Sequence, residues 1–294
     1  MKLDYVLITP ARNEEAFIEK TIQSVNAQTI LPQKWVIVSD GSIDRTDEIV
    51  KAYAKGKDWM EFIRLSEHRD RHFAAKVHAF NAGYERVKSL AYDVIGNLDA
   101  DISFGEDFFE YLLDKFERMP ELGVAGTHYI EATFHSFKDS YINVHHVNGQ
   151  CQLFRRQCFE DIGGYIPIKE GGIDWVAVTT ARMKGWKTYS FSERTYIHHH
   201  TMGRTYGNIL SARFHYGKKD YFCGSHPLWE TFRSMFQMTK KPYIVGGLLL
   251  LLGYFWAWAS RVEKPVSEEL MKFYRQEQMK RLKELLSNRL KLNR

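Results

Sequence analysis

Asp99-Ala-Asp101 sets two carboxylates two residues apart, directly after the apolar run Val94-Ile-Gly-Asn-Leu98. Carboxylates at i and i+2 can converge on one divalent cation where a chain leaves a sheet. Hard oxygen ligands suit Mg²⁺ or Mn²⁺, and such a cation commonly bridges substrate phosphates. The spacing alone also occurs in solvated turns. A second carboxylate closing an apolar run, Val38-Ser-Asp40, strengthens the functional reading. His198-His199-His200 follows the strand-like Lys187–Ile197. Side chains alternate faces along a strand, so three successive histidines cannot all ligate one ion.

The elements that must position these groups follow from periodicity. Tyr5–Thr9, Lys34–Ser39, Phe62–Leu65 and Val94–Leu98 are short apolar runs with the form of buried strands. Between them Glu15–Gln28 carries Phe17, Ile18, Ile22 and Val25 at helical spacing, and Thr46–Lys55 and Ala74–Leu90 also read as helices. This alternation predicts an α/β, Rossmann-like fold with a mostly parallel central sheet and helices on both faces. Ligands of such sheets bind at the carboxyl ends of the strands. Thr9 to Glu14, Asp40, and Asp99 to Asp101 all fall there.

The 294 residues are 44% apolar and 26% charged, enough for a substantial core and unlike a disordered or low-complexity chain. Three cysteines without a C-x-x-C argue against a disulfide framework or a structural zinc site and for a reducing compartment. Asp4 interrupts any signal-peptide core at the N-terminus. Charge is divided: residues 1–199 hold 24 Lys and Arg against 29 Asp and Glu, whereas residues 200–294 hold 17 against 7. The basic end therefore suits an anionic surface rather than nucleic acid.

Past residue 205 the pattern changes. Residues 206–241 read as amphipathic interfacial helices, with Leu228, Trp229, Phe232, Met235 and Phe236 on one face. Residues 242–262 read as a hydrophobic membrane segment, since Tyr243–Ser260 lacks charge and ends in Tyr254-Phe-Trp-Ala-Trp258. As a helix it would reach roughly 27 Å, against about 30 Å of hydrocarbon. It could be spanning or re-entrant; cations on both sides favour an insertion with both ends cytoplasmic. Residues 263–294 read as a basic amphipathic tail helix suited to anionic lipid.

Four segments occur in order: Leu7-Ile-Thr-Pro-Ala-Arg-Asn-Glu14, Ile37-Val-Ser-Asp-Gly-Ser-Ile-Asp-Arg-Thr46, Asn97-Leu-Asp-Ala-Asp-Ile102 and Ile162-Gly-Gly-Tyr165. Together they resemble a family 2 glycosyltransferase of the GT-A fold over about residues 4–202. The C-terminal continuation is similar to that of bacterial members acting on membrane-bound saccharides. The resemblance implies a nucleotide-sugar donor, a UDP- or GDP-sugar. It assigns Thr9, Pro10, Arg12, Glu14, Asp40, Lys76 and Asp99 to donor contacts, and Asp101, Asp99 and His198 to a Mn²⁺ or Mg²⁺ ion, with His199 second to His198. Arg204 would meet the diphosphate after loop closure. Each has a structural alternative; Thr9 and Asp40 could cap the helices that follow.

Inversion at the sugar requires a base for the acceptor hydroxyl. The family places it in a Glu-Asp pair ahead of a helix; here Glu170-Gly-Gly-Ile-Asp-Trp175 keeps Asp174 as the base and has Ile173 for the Glu. Asp174 could also serve as a helix N-cap. The stretch Glu131–Arg156 suits acceptor recognition, with His145, Arg155 and Trp175 the candidates beside His135, His146, Asn148, Gln150 and Arg156. The expected activity is inverting, metal-dependent transfer from a nucleotide-diphosphate donor to a hydroxyl of a lipid-linked or nascent polysaccharide acceptor at the cytoplasmic face of the inner membrane. A polyprenyl-phosphate sugar transferase would not need Asp174, and a silent nucleotide-sugar-binding scaffold would show no turnover. A Rossmann dehydrogenase is disfavoured, because no G-x-G-x-x-G follows the first strand.

Overall fold

In a computed structural model, the structure describes residues 3–67, 73–131, 134–136, 144–169, 171–200 and 208–292. The chain divides into two compact units, residues 1–201 and 202–294.

In the first unit, β1 (Tyr5–Ala11), β2 (Lys34–Ser39), β3 (Met60–Arg64) and β4 (Val94–Leu98) form the strands read from the sequence. Hydrophobic side chains on both faces of each strand are what a parallel sheet covered by helices demands. Tyr5, Leu7, Trp35 and Ile37 join one apolar layer with α1 (Ile18–Asn26), α2 (Thr46–Ala54) and α4 (Phe108–Arg118). Val6, Ile8, Val36 and Val38 join the other with α3 (Phe73–Val87), α5 (Arg156–Asp161) and α6 (Ile173–Met183).

The sheet is more mixed than the alternation implied. Its order is β3-β2-β1-β4-β8-β6-β9-β5, where β5 is Ile102–Phe104, β6 Leu122–Glu131, β8 Cys151–Arg155 and β9 Lys187–His198; the short β7 (Phe134–His135) pairs with β6. The pairs β4–β8, β8–β6 and β9–β5 are antiparallel. Strand order reverses at β1, which lies between β2 and β4. The loops leaving β1 and β4 diverge at such a reversal and open a crevice at the carboxyl ends.

The second unit is helical: α7 (Ile209–Phe222), α8 (Pro227–Gln237), α9 (Tyr243–Ala259) and α10 (Glu268–Leu292). Gly217 and Gly253 let α7 and α9 approach backbone to backbone, because a Cβ at Gly217 would lie 1.9 Å from the Leu250 carbonyl oxygen. Gly246, Leu250, Gly253, Tyr254 and Ala257 form the buried side of α9. Ile244, Leu248, Leu252, Trp256 and Trp258 are exposed on it. Leu228 and Met235 of α8, expected on the apolar face, are exposed as well, whereas Trp229 is buried. With 17 residues α9 would reach about 26 Å. No helix among the described residues is long and apolar enough to cross a membrane, so the spanning alternative for residues 242–262 is not supported. All three cysteines are buried thiols, without a disulfide.

Candidate active site

The loop after β1 is stitched to the loop after β2. Asn13 takes a left-handed conformation (φ 57°), which asparagine tolerates. Its Oδ1 accepts from Ile43 N and its own N–H donates to Ser42 Oγ. Glu14 N–H donates to Thr46 Oγ1 at 2.7 Å, and Glu15 N–H to Asp44 Oδ2 at 3.0 Å. These bonds fix Glu14 at the mouth of the crevice. Arg12 and Asp40 form an ion pair beside it at 3.5 Å.

Asp99 and Asp101 leave β4 towards this loop. Lys76 of α3 donates to Asp99 Oδ1 at 2.5 Å. Burial would lower the Lys76 pKa, but Asp99, Asp174 and Asp101 outweigh it and hold the ammonium above its usual value. Asp101 Oδ2 meets two imidazoles, His198 Nε2 at 3.1 Å and His200 Nδ1 at 3.0 Å. Burial works against its ionised form, yet these bonds hold Asp101 well below the usual carboxylate range. His200 also lies 3.7 Å from Glu14 Oε2. Burial, followed by the Asp101 charge, pushes Glu14 up to about 8.

Ligand atoms of Glu14, Asp101 and His200 lie within 4.8 Å of one another. Glu14 Oε2 is buried with no hydrogen-bond partner among the described residues. An unsatisfied buried carboxylate oxygen is costly unless something else satisfies it. Two carboxylates and an imidazole are a donor set that fits a divalent cation.

Asp174 closes the other side. It lies in the first turn of α6, whose N-cap is Gly172, so Asp174 is not the cap. Its side chain packs on Gly149, where an added Cβ would come within 2.8 Å of Asp174 Cβ. The Gly149 carbonyl in turn accepts from Asn97 Nδ2 at 2.7 Å, and Asn97 also reaches Asp99. Asp174, Asp99 and Asp101 thus all act on Lys76 in one crevice.

The family model described as Glycosyl transferase family 2 matches residues 6–133, which include Glu14, Asp40, Lys76, Asp99 and Asp101. Residues 6–133 therefore resemble a family 2 glycosyltransferase domain. Poly-beta-1,6-N-acetyl-D-glucosamine synthase of Staphylococcus aureus (strain COL) is 32% identical over 111 residues, 38% of this chain. The chain spans about a quarter of the length of the curated relatives it matches. Among solved structures, a mannosyltransferase from Pyrobaculum calidifontis in complex with GDP-Man and Mn²⁺ superposes with a TM-score of 0.57 and 17% identity, covering 96% of this chain and 81% of that one. Residues 1–349 of TarS from S. aureus, in complex with UDP-GlcNAc, superpose with a TM-score of 0.56 and 12% identity, covering 92% and 78%. At these identities the likeness establishes the GT-A fold.

The crevice differs from the sequence expectation at several positions. Thr9, expected at the donor, is fully buried, and its hydroxyl accepts from Trp35 Nε1 at 2.9 Å. Its side chain falls on the inward face of β1, away from solvent. Neither Thr9 nor Asp40 caps a helix; α1 and α2 are preceded by Phe17 and Arg45. Pro10 remains half-buried at the end of β1.

Among the histidines, His199 turns away to Ser103 Oγ (2.9 Å) and stacks on Phe17. His198 is held between Asp101 and Glu131, so His200, which the sequence reading passed over, joins Glu14 and Asp101 in the cation-capable trio. Strict alternation would place His198 and His200 on one face, a signal the sequence did contain.

Two acceptor candidates do not reach the crevice. Arg155 donates to the carbonyls of Leu122, Phe116 and Met119 and ties α4 to β6. The His145 ring faces the Thr188 carbonyl at the start of β9. Thr188 pairs with Val124 whereas Ile197 pairs with Ile130, six residues and about 20 Å along the sheet. Trp175 lies half-buried next to Asp174. Arg204 and Glu170 lie outside the described residues, as does the His135 side chain.

Proposed function

We propose that the chain is an inverting, cation-dependent glycosyltransferase that moves a sugar from a nucleotide-diphosphate donor to a hydroxyl of a lipid-linked or nascent polysaccharide acceptor. The observation that carries this is the convergence of Glu14, Asp101 and His200, with one carboxylate oxygen left unsatisfied, in the crevice that also holds Asp174. The poly-N-acetylglucosamine synthase relative supports a polysaccharide acceptor, and neighbours bound to GDP-Man with Mn²⁺ and to UDP-GlcNAc support the donor class.

Glu14, Asp101 and His200 would hold Mn²⁺ or Mg²⁺, whose chemistry is to neutralise charge on a departing diphosphate. Lys76, kept charged by three carboxylates, adds a cation on the same side. Asp174 accepts the proton of the attacking hydroxyl, and the Gly149 contact fixes its position.

The exposed apolar side of α9 and the excess of basic residues in the second unit support attachment in the plane of the cytoplasmic membrane face, on anionic lipid. Confinement there replaces a three-dimensional search for a lipid-linked acceptor with a local one. A panel of nucleotide sugars tested for Mn²⁺-dependent thermal stabilisation checks the donor, since a ligand bound only to folded protein raises Tm. A flat response to every UDP- and GDP-sugar would refute the proposal.

A further inference from the structure

Glu131, the last residue of β6, has no part in the cation-capable trio, yet sheet register places it next to the trio's scaffold. β6 and β9 run parallel with Ile130 opposite Ile197, so Glu131 and His198 are lateral neighbours. On the other side His198 pairs with Ile102, the residue after Asp101. The imidazole therefore stands between two carboxylates: Nδ1 lies 3.0 Å from Glu131 Oε2 and Nε2 lies 3.1 Å from Asp101 Oδ2. The three side chains are 12%, 8% and 11% exposed. Both ring nitrogens of His198 are thus occupied by carboxylate oxygens, one on each side.

His198 is thus a bracket rather than a ligand. It takes the same Asp101 oxygen that His200 takes, and the two contacts together fix the carboxylate's rotation. We propose that Glu131 is a positioning residue of the cation site: by orienting His198 it holds Asp101 in the geometry the site requires. This rests on the cation reading given above. Partners that orient ligands from outside the coordination shell commonly change metal affinity by about 10–100-fold.

The test is Mn²⁺ affinity, read from the electron paramagnetic resonance signal of unbound Mn²⁺, for wild type, Glu131→Ala, Glu131→Gln and Asp101→Asn. Each protein's melting temperature is measured without metal. Glu131→Ala is expected to bind about 10–100-fold more weakly at nearly unchanged Tm. Glu131→Gln, which keeps an acceptor for Nδ1 and loses the charge, recovers part of that loss. Should Glu131→Ala not melt cooperatively, Glu131→Gln decides alone, with a several-fold loss expected. Wild-type affinity in the folded Glu131 variants overturns the role of Glu131 and leaves the cation site standing. Wild-type protein that binds no Mn²⁺, or binds it no better than Asp101→Asn, overturns the cation site and this inference together.

Discussion

Half-buried Glu14 in the first unit and buried Glu230 in the second are both carboxyls pushed up to about 8, and both carry oxygens without a hydrogen-bond partner among the described residues. Their settings differ. Glu14 sits in a loop at the carboxyl end of a sheet, facing Asp101 and His200 from other elements. Glu230 is fully buried on α8, with Asp220 of α7 raising it further and Arg233, one turn along its own helix, lowering it. Arg233 pairs with Asp220 at 2.5 Å, so the second cluster is an internal ion pair with a spare neutral carboxyl. A displaced pKa accompanies both a candidate site and a structural network. What separates them is where the chain opens: loops diverge at a reversal of strand order, whereas packed helices leave no mouth.

The comparison can be broken most sharply at Asp174 and Asp101. Asp174→Asn should lower turnover by about 10²–10⁴-fold, the usual contribution of a general base, and Asp101→Ala should lower it at least as far. Both should melt near wild type; wild-type-like turnover in either variant removes its assigned role. Glu14→Gln should weaken Mn²⁺ binding on the order of 10–100-fold, while Glu230→Gln leaves it unchanged. Equal losses from the two glutamates would erase the distinction drawn between them.

The second unit should instead show its carboxyl in stability against pH. Folded Glu230 keeps its proton up to about 8, whereas an unfolded glutamate releases it near 4.5. Between those values the native state binds more protons, so stability is full below about 4.5 and falls as pH rises towards 8. Asp220, Arg233, Tyr254 and Tyr274 face the same group from α7, α8, α9 and α10. Melting curves of Glu230→Gln should be flatter over this window; an unchanged slope rules out Glu230 as its source. The smallest effect is expected at His145, where His145→Ala should leave kcat/KM unaltered because the ring lies on the Thr188 side of the sheet.

Much of the first unit was legible because short apolar runs and amphipathic helices alternate locally, and β1 to β4 follow that pattern. The strands β6 and β8 were not, since their partners lie far along the chain, β8 antiparallel to β4 and β6, and β6 parallel to β9. For α9 the absence of charge was plain, but glycines that seat one side against α7 leave only the other side apolar and exposed.

Residue type and order along the chain determined which groups could do chemistry: acidic side chains closing strands, a lysine on the third helix, an aspartate opening a later one. Tertiary structure alone decided which of them meet. It buried Thr9 against Trp35, sent Arg155 to main-chain carbonyls, and chose His200 over His198. The reason is that side-chain direction depends on strand register, and register is fixed by neighbouring strands many residues away.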